Sequence, residues 1–258
     1  MARGKLIAVS GPPGCGKTTL TLNLAQKVHE LTKEKILYIS PDTLIPAMSL
    51  VFPRRDKEDL RSLGKALENV NLAITDILGV IATTDAMPNL GYTGYVAGEG
   101  PYSYVALQEK KVMELVDILR DNFDYIFVDC VRDREDMISS IVCGLCDHLI
   151  QIVNPDIKSV AYYGFEPIRD EAIQVLMILD ADIYLPIQEI RARFPKLAHT
   201  VLYSRAAKMQ MVEGCLMDYL NDSVYQKAIK PILDILMAEP EVPEEAEEDN
   251  SLSETPLK

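Results

Sequence analysis

Short, nearly unbroken apolar runs recur along the chain and alternate with longer segments whose apolar positions return every three to four residues. The first run, Lys5-Leu-Ile-Ala-Val-Ser10, leads into a glycine-rich turn. A helical stretch from Lys17 to about Thr32 follows, with Leu20, Leu22, Leu24, Ala25 and Val28 as its apolar positions. A second strand is predicted at Ile36–Ser40, and others at Tyr125–Asp129, His148–Val153 and Thr200–Ser204; helical patterns occupy Ala106–Asp121 and Arg134–Cys146. Continuous apolar strands interleaved with helices belong in a mostly parallel sheet covered on both faces, so the expected fold class is α/β, a three-layer sandwich. One more strand is placed near Leu90–Val96. It opens a Gly- and Tyr-rich stretch reaching Tyr104 whose periodicity resolves into no element.

The length of 258 residues, with 48% hydrophobic and 25% charged residues, suits a single globular domain, set at residues 1–238, that needs no metal or disulfide staple. The formal net charge is −13, and eight acids against one base lie in Glu239–Lys258, which leaves the body at −6. That last segment is rich in Glu and Pro and poor in aromatic residues, so residues 239–258 are expected to be a disordered acidic tail. An acidic body gives no overall attraction to nucleic acid or to anionic membrane. No apolar stretch of about 18 residues is present, so no membrane-spanning helix is predicted. The odd set of five cysteines and the lack of an apolar leading segment point to a cytoplasmic protein.

The glycine-rich turn changes the picture most. Gly11-Pro-Pro-Gly-Cys-Gly-Lys-Thr18 fits G-x-x-x-x-G-K-[ST] in full, between a strand and a helix start as the mechanism requires. The order G-x-G-x-x-G of dinucleotide loops is not present. The candidate nucleotide-binding set is Gly11, Pro12, Pro13, Gly14, Cys15, Gly16, Lys17, Thr18 and Thr19, with backbone N–H groups around phosphate oxygens and Lys17 reaching the β/γ-phosphates. Thr18 and Asp129, the latter at the end of its strand, are the candidate magnesium ligands. Asp42, just beyond the second strand, is the candidate to orient the attacking water, so Lys17 and Asp42 form the catalytic pair. Cys15 at a helix N-terminus is expected to be an activated thiol that bound ATP would protect.

With these residues in place the chain resembles the MinD/ParA family of P-loop ATPases. The resemblance covers roughly residues 5–235 and includes Ile36-Leu-Tyr-Ile-Ser-Pro-Asp42, the Asp129 strand and Ile152-Val-Asn-Pro-Asp-Ile-Lys-Ser-Val160. It implies a P-loop NTPase fold, Mg-ATP as cofactor, a catalytic acid at Asp42, adenine contacts after the Thr200–Ser204 strand with Arg205 as candidate, and an ATP-dependent homodimer acting on a protein partner. The family's other acid in the Asp42 run falls on Ser40, and its signature lysine falls on Pro12; Arg132 or Arg134 is the candidate replacement. The missing lysine is similar to the atypical CpaE/TadZ-like branch, which acts at a cell pole, so a peripheral or polar position through a partner is a second expectation. AAA+ proteins share the loop but place Glu where Cys130 stands.

The expected function is a slowly hydrolysing switch of the MinD/ParA type that positions or regulates a cellular assembly. Two other readings stay open: a P-loop kinase with its acceptor near the Gly/Tyr-rich region 91–104, and a nucleotide-binding scaffold with little hydrolysis. Cys143-Gly-Leu-Cys146 has metal-ligand spacing but no completing pair, and buried small side chains account for it better. The apolar Lys230–Met237 helix, which contains Pro231, is expected to pack on the domain rather than in a membrane.

Overall fold

The computed structural model describes residues 3–46, 48–52, 60–131, 136–180 and 185–239. In chain order the elements are β1 (Lys5–Ser10), α1 (Lys17–Leu31), β2 (Ile36–Ser40), α2 (Met48–Val51), α3 (Leu63–Leu67), α4 (Ile74–Leu78), β3 (Ala82–Thr84) and β4 (Met87–Gly94). Then come α5 (Glu109–Asn122), β5 (Tyr125–Asp129), α6 (Met137–Leu145), β6 (His148–Val153), α7 (Ile157–Phe165), β7 (Ile173–Met177), α8 (Ile187–Arg193), β8 (His199–Val201), α9 (Arg205–Glu213) and α10 (Ser223–Met237).

The strands form one sheet in the order β3-β4-β2-β5-β1-β6-β7-β8, parallel throughout except for edge strand β3, which runs antiparallel to β4. Alternation along each strand sorts the core. Ile7 and Val9 face the layer of α1 and α10, whereas Leu6 and Ala8 face the layer of α3 to α6. Toward the β8 edge that second layer continues as Tyr163 of α7 and Ile190 of α8 against Val153 and Leu176. The three-layer α/β sandwich is therefore present; the strands predicted at Lys5–Ser10, Ile36–Ser40, Tyr125–Asp129 and His148–Val153 are found with those bounds, whereas the one predicted at Thr200–Ser204 is β8, His199–Val201, and Ser204 caps the helix that follows. The Leu90–Val96 strand is found as β4, beginning three residues earlier. Strand β7 had no counterpart in the sequence reading.

Helix α10 starts well before Lys230, its N-terminus capped by Asp222, which accepts from the backbone N–H groups of Val224 and Tyr225 at 3.0 and 3.1 Å. Its apolar stripe, Tyr225, Ile229, Ile232, Leu233 and Leu236, is buried in the domain. Lys5 donates to the carbonyls of Leu236 and Ala238 at 3.1 and 2.5 Å, setting a positive charge on the negative end of the helix. Among the described residues no helix is long and apolar enough to cross a membrane. Residues 240–258 lie outside the described residues.

Candidate functional site

The register that builds the sheet also builds the site. Val9 of β1 pairs with Asp129 of β5, so Asp129 closes its strand beside the point where β1 enters the phosphate loop. The loop turns into α1 at Gly16, which sits in the left-handed region at φ 92° with no side chain capping the helix. A Cβ there would approach Met177 Sδ to 2.8 Å. Glycine is thus required twice over, by conformation and by contact. The uncapped N–H groups of the first turn, with the dipole behind them, form an anion-binding end. Lys17 Nζ rests on the carbonyls of Gly11 and Pro12, 3.1 Å from each.

Thr18 Oγ1 donates to Asp129 Oδ2 at 2.6 Å, and the buried Tyr38 hydroxyl donates to the same oxygen at 3.1 Å. Asp129 Oδ1 is buried with no hydrogen-bond partner. Burial pushes the carboxyl above its ordinary range, against the Thr18 hydrogen bond and the Lys17 charge, which favour the ionised form. Asp42 Oδ1 accepts from the N–H groups of Leu44 and Ile45, 2.8 Å each, which fixes the turn after β2.

These groups border a cavity of about 950 Å³. Its phosphate-loop end is lined by Pro13, Gly14, Gly16, Lys17, Thr18, Thr19, Asp42 and Asp129, eight of the residues singled out from sequence. Gly11, Pro12 and Cys15 are buried beneath the loop rather than on the wall. Cys15 corrects an expectation: burial outweighs the Lys17 charge and pushes its thiol up to about 11, so the helix end does not activate it. The far end is walled by Tyr162 and Phe165 of α7, Met177 at the end of β7 with Asp180 beyond it, Tyr203 before α9, and Lys208 and Met211 along α9.

Arg205, the candidate for the base, is exposed on the first turn of α9 and absent from the wall; Ser204 and Lys208 on either side face the cavity instead. The reason is local. Ser204 is the N-cap, accepting from Ala207 N at 3.1 Å and donating to Asp222 Oδ2 at 2.7 Å, and this cap directs the next residue outward. Arg132 and Arg134 lie outside the described residues. The Gly/Tyr-rich stretch contributes nothing to the cavity wall. It is gathered around Glu99, which accepts from Ser62 Oγ at 2.6 Å, from Val96 N at 3.0 Å and from the Tyr104 hydroxyl.

Four site residues escaped the sequence reading. Tyr38 was a strand residue by its pattern, and nothing marked its hydroxyl as a partner of Asp129. Asn154, buried just after β6, donates to Met177 O at 2.8 Å and to Cys15 O at 3.3 Å, tying the phosphate loop to β7. Its signal was available, since a polar residue directly after an apolar strand at the loop end of a parallel sheet has few partners other than loop backbone. Asp180 and Lys208, paired at 3.0 Å, sit in the segment after β7 and on α9, elements the pattern did not resolve.

No protein-family profile matches the chain. Over 162 residues it is 28% identical to the septum site-determining protein MinD of Synechocystis sp., covering 60% of this chain and 54% of that one; the chain thus spans about half the length of this curated relative. Among solved structures it resembles a ParA family ATPase from Chlorobium tepidum TLS, with TM-score 0.68 and 15% identity over 90% of this chain and 99% of the other. It also resembles septum site-determining MinD from Pyrococcus horikoshii OT3 in complex with Mg-ADP, with TM-score 0.67 and 18% identity over 91% and 96% of the two chains. The chain is MinD/ParA-like, with the P-loop NTPase fold of those proteins.

Proposed function

We propose that this protein binds Mg-ATP in the cavity and hydrolyses it slowly, using the nucleotide state to switch between a monomer and a homodimer that positions or regulates a cellular assembly. The observation that carries the reading is Asp129. A buried carboxylate with one oxygen held by Thr18 and Tyr38 and the other unpartnered is costly to an apoprotein, and magnesium is the group that would repay it. Thr18 and Asp129 are the residues that would hold the metal, and bound magnesium supplies charge neutralisation for the phosphates. The protein's own groups do the rest. The first-turn N–H groups of α1 and Lys17 bind phosphate oxygens, Lys17 leaving the Gly11 and Pro12 carbonyls to do so. Asp42 borders the same cavity on a fixed turn and orients water toward the terminal phosphate.

The relation to solved MinD and ParA proteins supports nucleotide binding, and one of them holds Mg-ADP. Pro12, in the place of the signature lysine, argues for slow turnover. The test is light scattering with ADP, with Mg-ATP and with Mg-ATP on Asp42→Ala, together with phosphate release and a Lys17→Ala control. Dimerisation with Mg-ATP that Asp42→Ala prolongs is the expected result. An unchanged size overturns the switch; phosphate release that Lys17→Ala abolishes then indicates a monomeric phosphotransferase, and no release at all a scaffold.

A further inference from the structure

One residue beyond the metal-site carboxylate, the chain places a second chemistry that the phosphate loop does not use. Cys130 follows Asp129 directly, and its N–H donates to Val9 O at 3.0 Å, continuing the β5–β1 ladder past the end of the strand. Its side chain is 1% exposed, wedged against the α6 layer, and it also borders the cavity. Cys143 reaches it from α6 with the two sulfurs 3.7 Å apart. Cys143 is only partly buried, so it faces both the solvent side and Cys130.

We infer that Cys130 and Cys143 are a dithiol that a hydroperoxide converts to a disulfide, and that this disulfide weakens binding of Mg-nucleotide at the adjacent phosphate loop. The second half rests on the function proposed above; the first does not. The roles divide by environment. The hydrogen bond shared with Cys130, then the positive charge of Arg169, holds the Cys143 thiol below its ordinary range, whereas burial pushes Cys15 and Cys146 up to about 11. The Arg169 guanidinium is anchored there by donating to Cys143 O at 2.6 Å. Cys146 is a poor alternative partner, its thiol being directed at the Cys143 carbonyl, 3.6 Å away.

The chemistry closes with a hydroperoxide as the one added reactant. The Cys143 thiolate attacks the terminal oxygen of ROOH; the O–O bond breaks, the alkoxide leaves and is protonated to ROH, and Cys143 becomes a sulfenic acid. The Cys130 thiol then attacks that sulfur, an S–S bond forms, and the displaced hydroxyl leaves with the thiol proton as water. Two thiols give up two electrons and the peroxide accepts both.

A disulfide holds its sulfurs about 2.05 Å apart, so they must close by about 1.6 Å from the present 3.7 Å. Both ends resist. Cys130 is tied to β1, and α6 is tied back by Ser139 Oγ, which accepts from Val131 N at 2.9 Å. The movement that side-chain rotation does not absorb falls on the backbone of Cys130, which shares a peptide unit with Asp129.

The test uses the full chain, reduced and then treated with stoichiometric hydrogen peroxide, quenched with maleimide in denaturant and read by intact mass and peptide mapping. The expected product takes up three maleimides instead of five and, those labels aside, is lighter by about 2 Da; it carries a 130–143 cross-link and reverts with dithiothreitol. Cys143→Ser and Cys130→Ala form no such product, while Cys215→Ser still does. A Cys143–Cys146 link, or a Cys143 sulfinic acid with Cys130 still free, overturns the dithiol. In the second arm, a fluorescent ADP with magnesium binds the oxidised protein about tenfold more weakly, and Cys143→Ser binds it equally before and after peroxide. Equal affinity of the cross-linked and reduced proteins overturns the coupling. Absence of nucleotide binding by the reduced protein overturns the proposed function, and the coupling with it, while the mass measurement still decides the dithiol.

Discussion

The two ends of the central strands are built on opposite principles. Where β1 begins, polar groups are closed on one another. The Arg120 guanidinium donates to Gly4 O at 3.0 Å, to Asp147 Oδ2 at 2.7 Å and to Leu145 O at 2.8 Å, and the same Asp147 oxygen accepts from Leu6 N at 2.7 Å. Lys5 beside it closes the end of α10. Backbones come so near that a Cβ on Gly4 would lie 1.9 Å from Phe123 O. Where β1 ends, six residues on, the same strand meets an uncapped helix, a lysine lying on loop carbonyls and a buried carboxylate with an unpartnered oxygen. One end is closed on itself as a folded chain, and the other is the end that the proposed function completes with a ligand.

The contrast predicts that substitutions at the two ends separate stability from binding. The largest effect is expected at the closed end. Arg120→Ala removes three hydrogen bonds, about 1 kcal/mol each, while the ion pair to the exposed Asp147 adds little, so unfolding stability should fall by about 3 kcal/mol. Nucleotide affinity, measured at a temperature where the variant is still folded, should stay within about twofold. A tenfold loss of affinity would show that the two ends are not independent. Next comes Lys17→Ala, expected to weaken Mg-nucleotide binding about 100-fold, roughly 2.7 kcal/mol, by removing a charge-assisted bond to phosphate. Its melting temperature without nucleotide should move by no more than about 2 °C, since only two exchangeable bonds to loop carbonyls are lost.

Asp129→Asn tests the incompleteness itself and should move the two quantities in opposite directions. The neutral side chain loses the metal, so nucleotide affinity in magnesium falls about tenfold. Without nucleotide the variant avoids burying a charge with an unpartnered oxygen, and its stability should rise by about 1 kcal/mol, a few degrees in melting temperature. A drop in melting temperature would mean that the carboxylate is adequately paired by Thr18 and Tyr38 alone.

Legibility in the sequence followed the same division. The phosphate loop, Asp129 and Asp42 could be read because glycines, a lysine and acids at strand ends have few other uses in that pattern, and the structure lines one cavity with them. Strand β7 was missed because Gln174 interrupts a short run, although in the fold that side chain is 6% exposed. Arg205 is the candidate because the resemblance places adenine contacts after that strand, and the helix cap at Ser204 turns it away. Cys15 is set by sequence beside the helix end and Lys17, whereas its burial comes from the core cluster it joins with Ile152 and Met177, which no local window contains. Residues whose role depends on chain neighbours could be read; those whose role depends on what packs across the sheet could not.

Tyr38 belongs to the second group and gives the finest test of the comparison. Its ring is fully buried and packs at 6.0 Å, centroid to centroid, against Tyr92, so Tyr38→Phe keeps the packing and removes only the hydroxyl that donates to Asp129. Without nucleotide the carboxylate then has one donor fewer, and stability should fall by about 1 kcal/mol. The positive charge that bound magnesium would bring then offsets the carboxylate in place of the hydroxyl. The same substitution should therefore cost less than about half as much in saturating Mg-ADP, measured as the difference in melting temperature between variant and parent. Equal losses with and without nucleotide would make the hydroxyl a packing feature like those at the closed end. A smaller loss with nucleotide would identify it as a stand-in that holds the Asp129 carboxylate ionised and in place until the metal arrives.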